Sequence, residues 1–123
     1  MTANFLEIVN ISKKFGNVIA LDNVSLSISK SELFSLLGSS GCGKSTLLRI
    51  IAGFEKPDSG GIILDGEDIT NLPPHLRPLN MMFQNYALFP HLNISQNIEF
   101  GLKEENLPQN EIQERTKEIL NLL

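Results

Sequence analysis

The first third of the chain alternates between apolar and polar residues. In VSLSIS, residues 24–29, three apolar residues alternate with three serines. This period of two is typical of a half-buried strand, because successive side chains point to opposite faces. FLEIVNI, residues 5–11, is a second strand candidate, and Gly16-Asn17 predicts a turn before VIAL, residues 18–21. Together these segments predict a small antiparallel sheet.

A glycine loop then interrupts two apolar runs. LFSLL, residues 33–37, is continuously apolar except for one serine, which predicts a strand buried on both faces. GSSGCGKS, residues 38–45, follows it. The next run predicts a buried helix that ends near Gly53, with Pro57 beyond it. Its apolar positions are Leu47, Leu48, Ile50 and Ile51.

The middle of the chain contains further strand and loop signals. GIILDGEDI, residues 61–69, predicts a strand with an Asp-Gly turn. NLPPHLRP, residues 71–78, predicts a loop because proline lacks a backbone donor. NMMF, residues 80–83, is a short strand candidate that ends at Gln84.

The last segment has the apolar spacing of a helix. Asn110 and Gln113 predict a capping box at its start. Glu111 and Arg115 have the spacing of an ion pair one turn apart. The residues predicted to share one face are Ile112, Thr116, Ile119, Leu120 and Leu123.

Composition narrows the function classes. Among the 123 residues, ten basic and fourteen acidic side chains give a formal charge of −4, which argues against a nucleic-acid partner. The single cysteine, Cys42, excludes an internal disulfide and a cysteine cluster for a metal. No apolar stretch approaches the length of a membrane span, and MTANFLEIVN lacks the features of a secretion signal. We therefore expect a cytosolic, globular protein.

The glycine loop fits the phosphate-binding pattern G-x-x-x-x-G-K-[ST]. Glycines let backbone N–H groups approach a polyphosphate, and the following helix directs its positive end at the anion. Lys44 would add a charge for the β- and γ-phosphates, Ser45 a hard oxygen ligand for Mg²⁺, and Thr46 a donor to the α-phosphate. The predicted nucleotide-binding residues here are Gly38, Ser39, Ser40, Gly41, Cys42, Gly43, Lys44, Ser45 and Thr46.

Two alternatives stay open for this loop. It could be a glycine-rich turn that only joins two buried elements. Cys42 could supply only its backbone N–H, or its thiol could be reactive because it lies at a helix N-terminus.

The segment KKFGNVIALDNVSLSISKSELFSLLGSSGCGKSTLLRIIAGFEKPDSGGIILDGEDIT, residues 13–70, resembles the opening of the nucleotide-binding subunit of an ABC transporter. The resemblance implies an α/β fold with a P-loop NTPase-like core and an N-terminal antiparallel β subdomain, and it implies ATP and Mg²⁺ as ligands. It also implies that Phe15 stacks on adenine, although Phe15 could instead be a core residue.

A later segment extends the resemblance. MMFQNYALFPHLNISQNIEFGL, residues 81–102, is similar to the family's Q-loop region, which implies that Gln84 reaches Mg²⁺ and the γ-phosphate side. The alternative for Gln84 is a surface amide. The two histidines, His75 and His91, are expected to be loop or surface residues.

The segment PPHLRPLNMMFQNYALFPHL, residues 73–92, resembles the ATP subunits of polyamine importers, among which putrescine importers are suggested as the nearest match. The resemblance implies transmembrane permease subunits and a second ATP-binding subunit as partners, and a peripheral position on the inner face of the cell membrane. Residues 84–90 would then form the groove for a short helix of the permease, or alternatively a buried loop core.

Some family motifs do not occur in this sequence. It has no LSGGQ signature, no Walker B strand that ends in an Asp with a following Glu, and no later switch histidine. Because the family's hydrolysis needs that Glu or its equivalent, we expect no catalytic residue in this chain. Residues 1–123 are accordingly interpreted as the N-terminal portion of the domain, cut within its helical region.

Three hypotheses follow. The first is the ATP-binding component of a polyamine importer. The second is a truncated or split nucleotide-binding fragment without turnover. The third, a small kinase, lacks support because no segment resembles a substrate lid or acceptor site.

Overall fold

A computed structural model describes residues 3–39, 41 and 43–123, and the chain divides into two compact units, Met1–Met81 and Met82–Leu123. The first unit contains a four-stranded sheet with the order β2-β1-β3-β4. Every neighbouring pair in this sheet is antiparallel, which confirms the predicted sheet. Its strands are β1 (Asn4–Phe15), β2 (Val18–Ser29), β3 (Ser59–Leu64) and β4 (Glu67–Asp68).

The predicted alternation places one face of the sheet in the core. Ile8 on β1 pairs with Ile62 on β3, and both are almost fully buried. On β2, Leu26 is half-buried against this core while its neighbours Ser25 and Ser27 are exposed. The buried apolar residues of the unit are Leu6, Ile8, Ile11, Leu21, Leu47, Ile50, Ile62, Leu64 and Ile69.

The predicted Asp-Gly turn joins β3 to β4. Asp65 and Gly66 both have positive φ, 48° and 84°. Two consecutive positive φ values are those of a type I′ turn, whose twist matches that of the adjoining strands. The turn prediction is therefore confirmed.

The helix after the glycine loop is α1 (Lys44–Ala52), which ends at Gly53 as expected. It buries Leu47 and Ile50 in the core of the first unit, whereas Leu48 is 45% exposed and Ile51 half-buried. The predicted buried helix is therefore buried on one face only, because the described residues of this unit cover only that face.

Two predicted strands do not form. Residues 33–37 and 80–83 have no strand structure, and Leu33, Leu37 and Met82 are 97%, 94% and 83% exposed. A strand requires a neighbour for its N–H and C=O groups. Among the described residues, β1 to β4 pair only with one another, so neither segment has such a neighbour.

The loop at residues 71–78 is confirmed and contains one 3₁₀ turn, Pro74–Leu76. It places the side chain of Arg77 in a buried position, 7% exposed. The guanidinium donates to the carbonyl oxygens of Ile50 at 2.8 Å and Ile51 at 3.0 Å. Arg77 thereby supplies a charged donor to carbonyls at the C-terminal end of α1, where the Ile50 carbonyl also accepts from the Gly53 N–H at 3.2 Å.

Arg77 also fixes its own loop. It donates to the carbonyl oxygens of Leu72 at 2.8 Å and Thr70 at 3.0 Å. Burial lowers the pKa of Arg77, although a guanidinium remains charged in proteins. Gly53, with φ 91°, leaves the necessary space, because a Cβ there would lie 2.7 Å from the Arg77 Nε.

The second unit contains α2 (Ile94–Glu104) and α3 (Gln109–Leu122). The predicted capping box at Asn110 is wrong, because α3 begins at Gln109 after Pro108 and Asn110 lies inside the helix. A capping box is found instead at α2, between Asn93 and Gln96.

The face predicted for the last helix is only partly buried. Ile112 and Thr116 are buried, whereas Ile119, Leu120 and Leu123 are 45%, 38% and 94% exposed. The predicted ion pair is confirmed, with 2.7 Å between Arg115 and Glu111. Within the described part of the chain, no helix is long and apolar enough to cross a membrane.

Replacing Arg77 with Met should lower the free energy of unfolding by about 2–4 kcal/mol, because several buried carbonyls lose a charged donor. Urea unfolding followed by circular dichroism measures this change. Arg49→Met is the matched control on the exposed surface of α1, where we expect a change within about 0.5 kcal/mol. Equal effects of the two substitutions would contradict the capping role.

Candidate functional site

The N-terminus of α1 provides unpaired backbone donors. Gly43 is the N-cap, with a left-handed φ of 93°, and no side chain caps this end. The backbone N–H of Leu47 donates to the Gly43 carbonyl at 2.9 Å. The N–H groups of the three residues before Leu47 therefore have no acceptor within the helix. The first turn contains no acidic side chain, so this end of the helix favours an anion.

A pocket of about 360 Å³ lies at this helix end. It is lined by Val18, Ala20, Gly41, Gly43, Lys44, Ser45 and Thr46. Five of the predicted phosphate-binding residues therefore share one cavity. Ser45 is an exposed residue at the start of α1, and its hydroxyl is the kind of hard oxygen ligand that Mg²⁺ prefers.

Lys44, the first residue of α1, contacts the first residue of the glycine loop. Its Nζ donates to the carbonyl oxygen of Gly38, so the ammonium and Gly38 are brought together across the loop. An entering phosphate would find this cation beside the free N–H groups of the helix. Ser39 is exposed in the same loop, while Ser40 and Cys42 lie outside the described residues. Their predicted roles, including both interpretations of Cys42, stay predictions.

A β-bulge positions the neighbouring strand. In the described register, Ala20 has no partner on β1, although Ile19 and Leu21 on either side of it are paired. A Cβ on Gly43 would lie 2.4 Å from the Ala20 carbonyl oxygen. Only glycine allows α1 to begin this close to β2, and the bulge is a common device for directing backbone at a site.

Phe15 is a surface residue rather than a core residue, since it is 46% exposed. It is the last residue of β1 and pairs with Val18, which lines the pocket. The Nζ of Lys13 lies over the Phe15 ring, 5.2 Å from its centroid. An aromatic face therefore adjoins the strand that forms one wall of the phosphate pocket.

Gln84 belongs to the second unit and lies in a turn of residues 84–87, where it is exposed. Tyr86 and Ala87 in this turn have positive φ, 61° and 51°. Consecutive non-glycine residues in this region are strained, and such strain is concentrated at functional sites. Tyr86 and Leu88 are 72% and 66% exposed, so this turn is not the buried loop core considered as an alternative.

The segment after this turn is anchored to α2. The Phe89 ring packs on Phe100 with 4.5 Å between centroids. The Phe89 N–H donates to the Asn97 Oδ1 at 2.9 Å, and the Asn97 Nδ2 donates to the Leu92 carbonyl at 3.1 Å. The residues that follow the exposed turn are therefore held in place against α2.

The histidines have the expected surface positions. Both His75 and His91 are exposed, and His91 meets the Phe89 ring edge-on at 5.9 Å between centroids.

Sequence reasoning missed several residues at these sites. Val18 and Ala20 have a detectable signal, because alternate residues after a hairpin turn share one face. Asn97 also has one, since the capping box at Asn93 predicts a helix beginning there. The bulge at Ala20 and the ion pairs of Lys13 with Glu55 and Asp58 depend on tertiary packing and have no short sequence signal.

Comparisons with known proteins agree with this geometry. The family described as ABC transporter matches residues 21–123. The chain is 58% identical over 118 residues to the putrescine transport ATP-binding protein PotG of Escherichia coli (strain K12), a match that covers 96% of this chain and 31% of PotG. It is 55% identical over 123 residues to the spermidine/putrescine import ATP-binding protein PotA of Thermotoga maritima, covering 100% of this chain and 33% of that protein. The chain thus spans about a third of the length of these curated relatives.

A solved structure extends the likeness to the fold. The dimeric post-hydrolysis structure of the ATP-binding cassette MJ0796 bound to ADP and Pi has a TM-score of 0.81 and 30% sequence identity, over 94% of this chain and 56% of that one. This confirms the fold class expected from the sequence, the α/β, P-loop NTPase-like type with an antiparallel β subdomain. With the family match over residues 21–123, these findings establish that the chain belongs to the ABC transporter family.

Proposed function

We propose that residues 1–123 form the N-terminal portion of the nucleotide-binding domain of an ABC importer and bind ATP at the start of α1. The observation that carries this proposal is the pocket itself. The cation Lys44 lines one cavity of about 360 Å³ together with Ser45 and Thr46, and the N–H groups of these three residues have no acceptor within the helix. Such a combination favours a polyphosphate.

In this proposal the loop residues bind the phosphates and the magnesium ion. The backbone N–H groups at the start of α1 would bind the phosphates, and Lys44 would add its charge toward the β- and γ-phosphates. Ser45 would supply an oxygen ligand for Mg²⁺, which neutralises phosphate charge when bound, whereas the role of Gln84 toward Mg²⁺ stays a prediction from the family resemblance. The exposure of Ser45 and its place in the pocket lining support its assignment.

The base would be held by Phe15. Its exposure and its pairing with the pocket residue Val18 support stacking on adenine over a core role. Stacking requires only an accessible aromatic face, so phenylalanine is sufficient.

The solute and the partners come from the likeness to PotG and PotA, which are named for putrescine and spermidine transport. We propose a polyamine importer whose transmembrane permease subunits contact this protein at the inner face of the cell membrane. The exposed Tyr86 and Leu88 on their fixed turn support residues 84–90 as the permease contact. A second ATP-binding subunit would complete the assembly, as the dimeric likeness of MJ0796 suggests.

ATP turnover is a separate question from ATP binding. The sequence contains no signature motif and no Walker B motif, and no catalytic residue is proposed here. The alternative hypothesis, a nucleotide-binding fragment without turnover, rests on this observation.

Calorimetry with Mg·ATP and an assay of phosphate release test both points on the 123-residue chain. Binding without phosphate release is the expected result. Lack of binding at millimolar ATP would contradict the proposed function, and steady phosphate release would show that another residue of this chain orients water.

Lys44→Ala should reduce ATP affinity at least about 100-fold, because it removes the charge opposite the phosphates. Calorimetric titration with Mg·ATP measures the change. Lys30→Ala, at an exposed lysine in the turn after β2, is the control that alters net charge equally. An affinity of the Lys44 variant equal to that of the control would exclude Lys44 as the phosphate anchor.

Phe15→Ala should weaken ATP binding by about 1–3 kcal/mol, the usual contribution of an aromatic platform to a stacked base. Inorganic tripolyphosphate, which has no base, should bind both forms equally. Phe15→Tyr should restore ATP affinity since it retains a π-face. ATP binding that is unchanged in Phe15→Ala would show that the ring does not stack.

Gly43→Ala should impair tripolyphosphate binding and stability, because α1 must move away from the Ala20 carbonyl. Gly66→Ala is the matched control, with φ +84° against +93° but open space around its Cβ position. The control should cost about 1–2 kcal/mol of unfolding free energy from its positive φ alone and leave tripolyphosphate affinity unchanged. Equal tripolyphosphate affinity of the two variants would contradict the close-approach explanation.

A further inference from the structure

Lys13 has three partners that hold it beside the proposed base platform. Its Nζ lies 3.1 Å from the Glu55 Oε1 and 3.5 Å from the Asp58 Oδ1. The same atom lies 5.2 Å from the centroid of the Phe15 ring. The side chain of Lys13 is only 13% exposed, so this is an ordered lysine rather than a solvated one.

The two acidic residues are themselves hydrogen-bonded within the first unit. Asp58 accepts a hydrogen bond from the backbone N–H of Lys14 at 2.8 Å, and its own N–H donates to the Ser12 carbonyl at 2.9 Å. Glu55 lies shortly after the C-terminal end of α1, where its backbone N–H donates to the Arg49 carbonyl at 3.3 Å. The anchors of Lys13 therefore belong to the connection that follows the phosphate-loop helix.

The surroundings of Lys13 favour its protonated, positively charged form. The hydrogen bond with Glu55 is the main cause that raises the pKa of Lys13 above its ordinary value, and the charges of Asp58 and Glu55 add to it against the opposing effect of burial. The ammonium thus stays protonated at neutral pH. It also lies within the distance at which a cation is attracted to an aromatic face.

We propose that Lys13 is a positioning residue for Phe15, holding one face of the ring so that the exposed remainder is ready to stack on a purine base. This inference rests on the proposed function, because it concerns the base side of the same nucleotide site. A free aromatic side chain loses rotamer freedom when a ligand stacks on it, and a ring that is already held loses less. Lys13 therefore contributes to nucleotide affinity without contacting the nucleotide.

The main test replaces Lys13 with Met, which keeps an unbranched apolar stem and removes the charge. ATP affinity should fall about three- to tenfold, the range expected for one side chain that must be ordered. Tripolyphosphate affinity should not change. Lys14→Met is the control at the adjacent exposed lysine and should leave both affinities as they are.

A double-mutant cycle separates positioning from a general structural effect. In a Phe15→Leu background, Lys13→Met should have no further effect on ATP affinity, because the ring that it holds is absent. Glu55→Gln tests the same contact while Lys13 is kept. It should also lower ATP affinity, because the Lys13 ammonium loses a charged partner.

A spectroscopic signature tests the restraint without nucleotide. The chain contains no tryptophan, so Phe15→Trp introduces a single fluorophore of this kind at the platform. Adding Lys13→Met to this variant should lower the fluorescence anisotropy of the indole and increase its quenching by acrylamide.

The outcomes are distinct. ATP binding by the unmodified chain that is insensitive to Lys13→Met overturns the positioning role alone. A parallel loss of ATP and tripolyphosphate affinity also overturns it, because the effect is then not specific to the base. Absence of ATP binding by the unmodified chain overturns the proposed function and this inference with it.

Discussion

Helix α1 is fixed at both ends by contacts that leave no space for a side chain. At its start, Gly43 lies against the Ala20 carbonyl of β2, and at its end Gly53 lies against the guanidinium of Arg77. Both glycines have a left-handed φ near 90°. The direction of the helix, and therefore of its unpaired N–H groups, is set by these two close approaches rather than by side-chain packing alone.

The rest of the first unit supports this arrangement. The sheet supplies the buried surface on which Leu47 and Ile50 pack. The bulge at Ala20 brings β2 to the phosphate pocket, and the loop around Arg77 completes the far end of the helix. Lys13, Glu55 and Asp58 connect that far end to the end of β1. The pocket at the start of α1 and the exposed ring of Phe15, proposed to bind phosphate and base, are thus connected by one continuous set of contacts within this unit.

Local pattern was sufficient for the parts of the fold whose partners are near in sequence. The alternation at residues 24–29, the turn at Asp65-Gly66 and the helix after Lys44 are examples, because each depends on residues a few positions apart. The strand predicted at residues 33–37 does not form, because it would need neighbouring strands from distant parts of the chain. An apolar run alone does not show whether such neighbours exist. The capping box was placed at the wrong helix because Pro108 starts α3 before Asn110.

The residues of the candidate site also divide into those that a local sequence pattern identifies and those that depend on distant partners. The phosphate-loop pattern identified Gly43, Lys44 and Ser45, whose spacing is itself the signal. The family resemblance added Phe15 and Gln84, which no local rule distinguishes from ordinary residues. Lys13 and Arg77 escaped both approaches, because a basic residue becomes informative only when its partners, distant in sequence, are known.

The segment LFSLL at 33–37, exposed except for the half-buried Leu36, is also expected to affect the solubility of the chain at high concentration. It is apolar, uncharged and free of proline, the composition that drives intermolecular β-pairing and insoluble aggregates. Glu32 and Lys30 precede it and Gly38 follows it, so charges and a poor strand former act as gatekeepers on its two sides. The glycine that begins the phosphate loop therefore also limits how far an aggregating strand can extend.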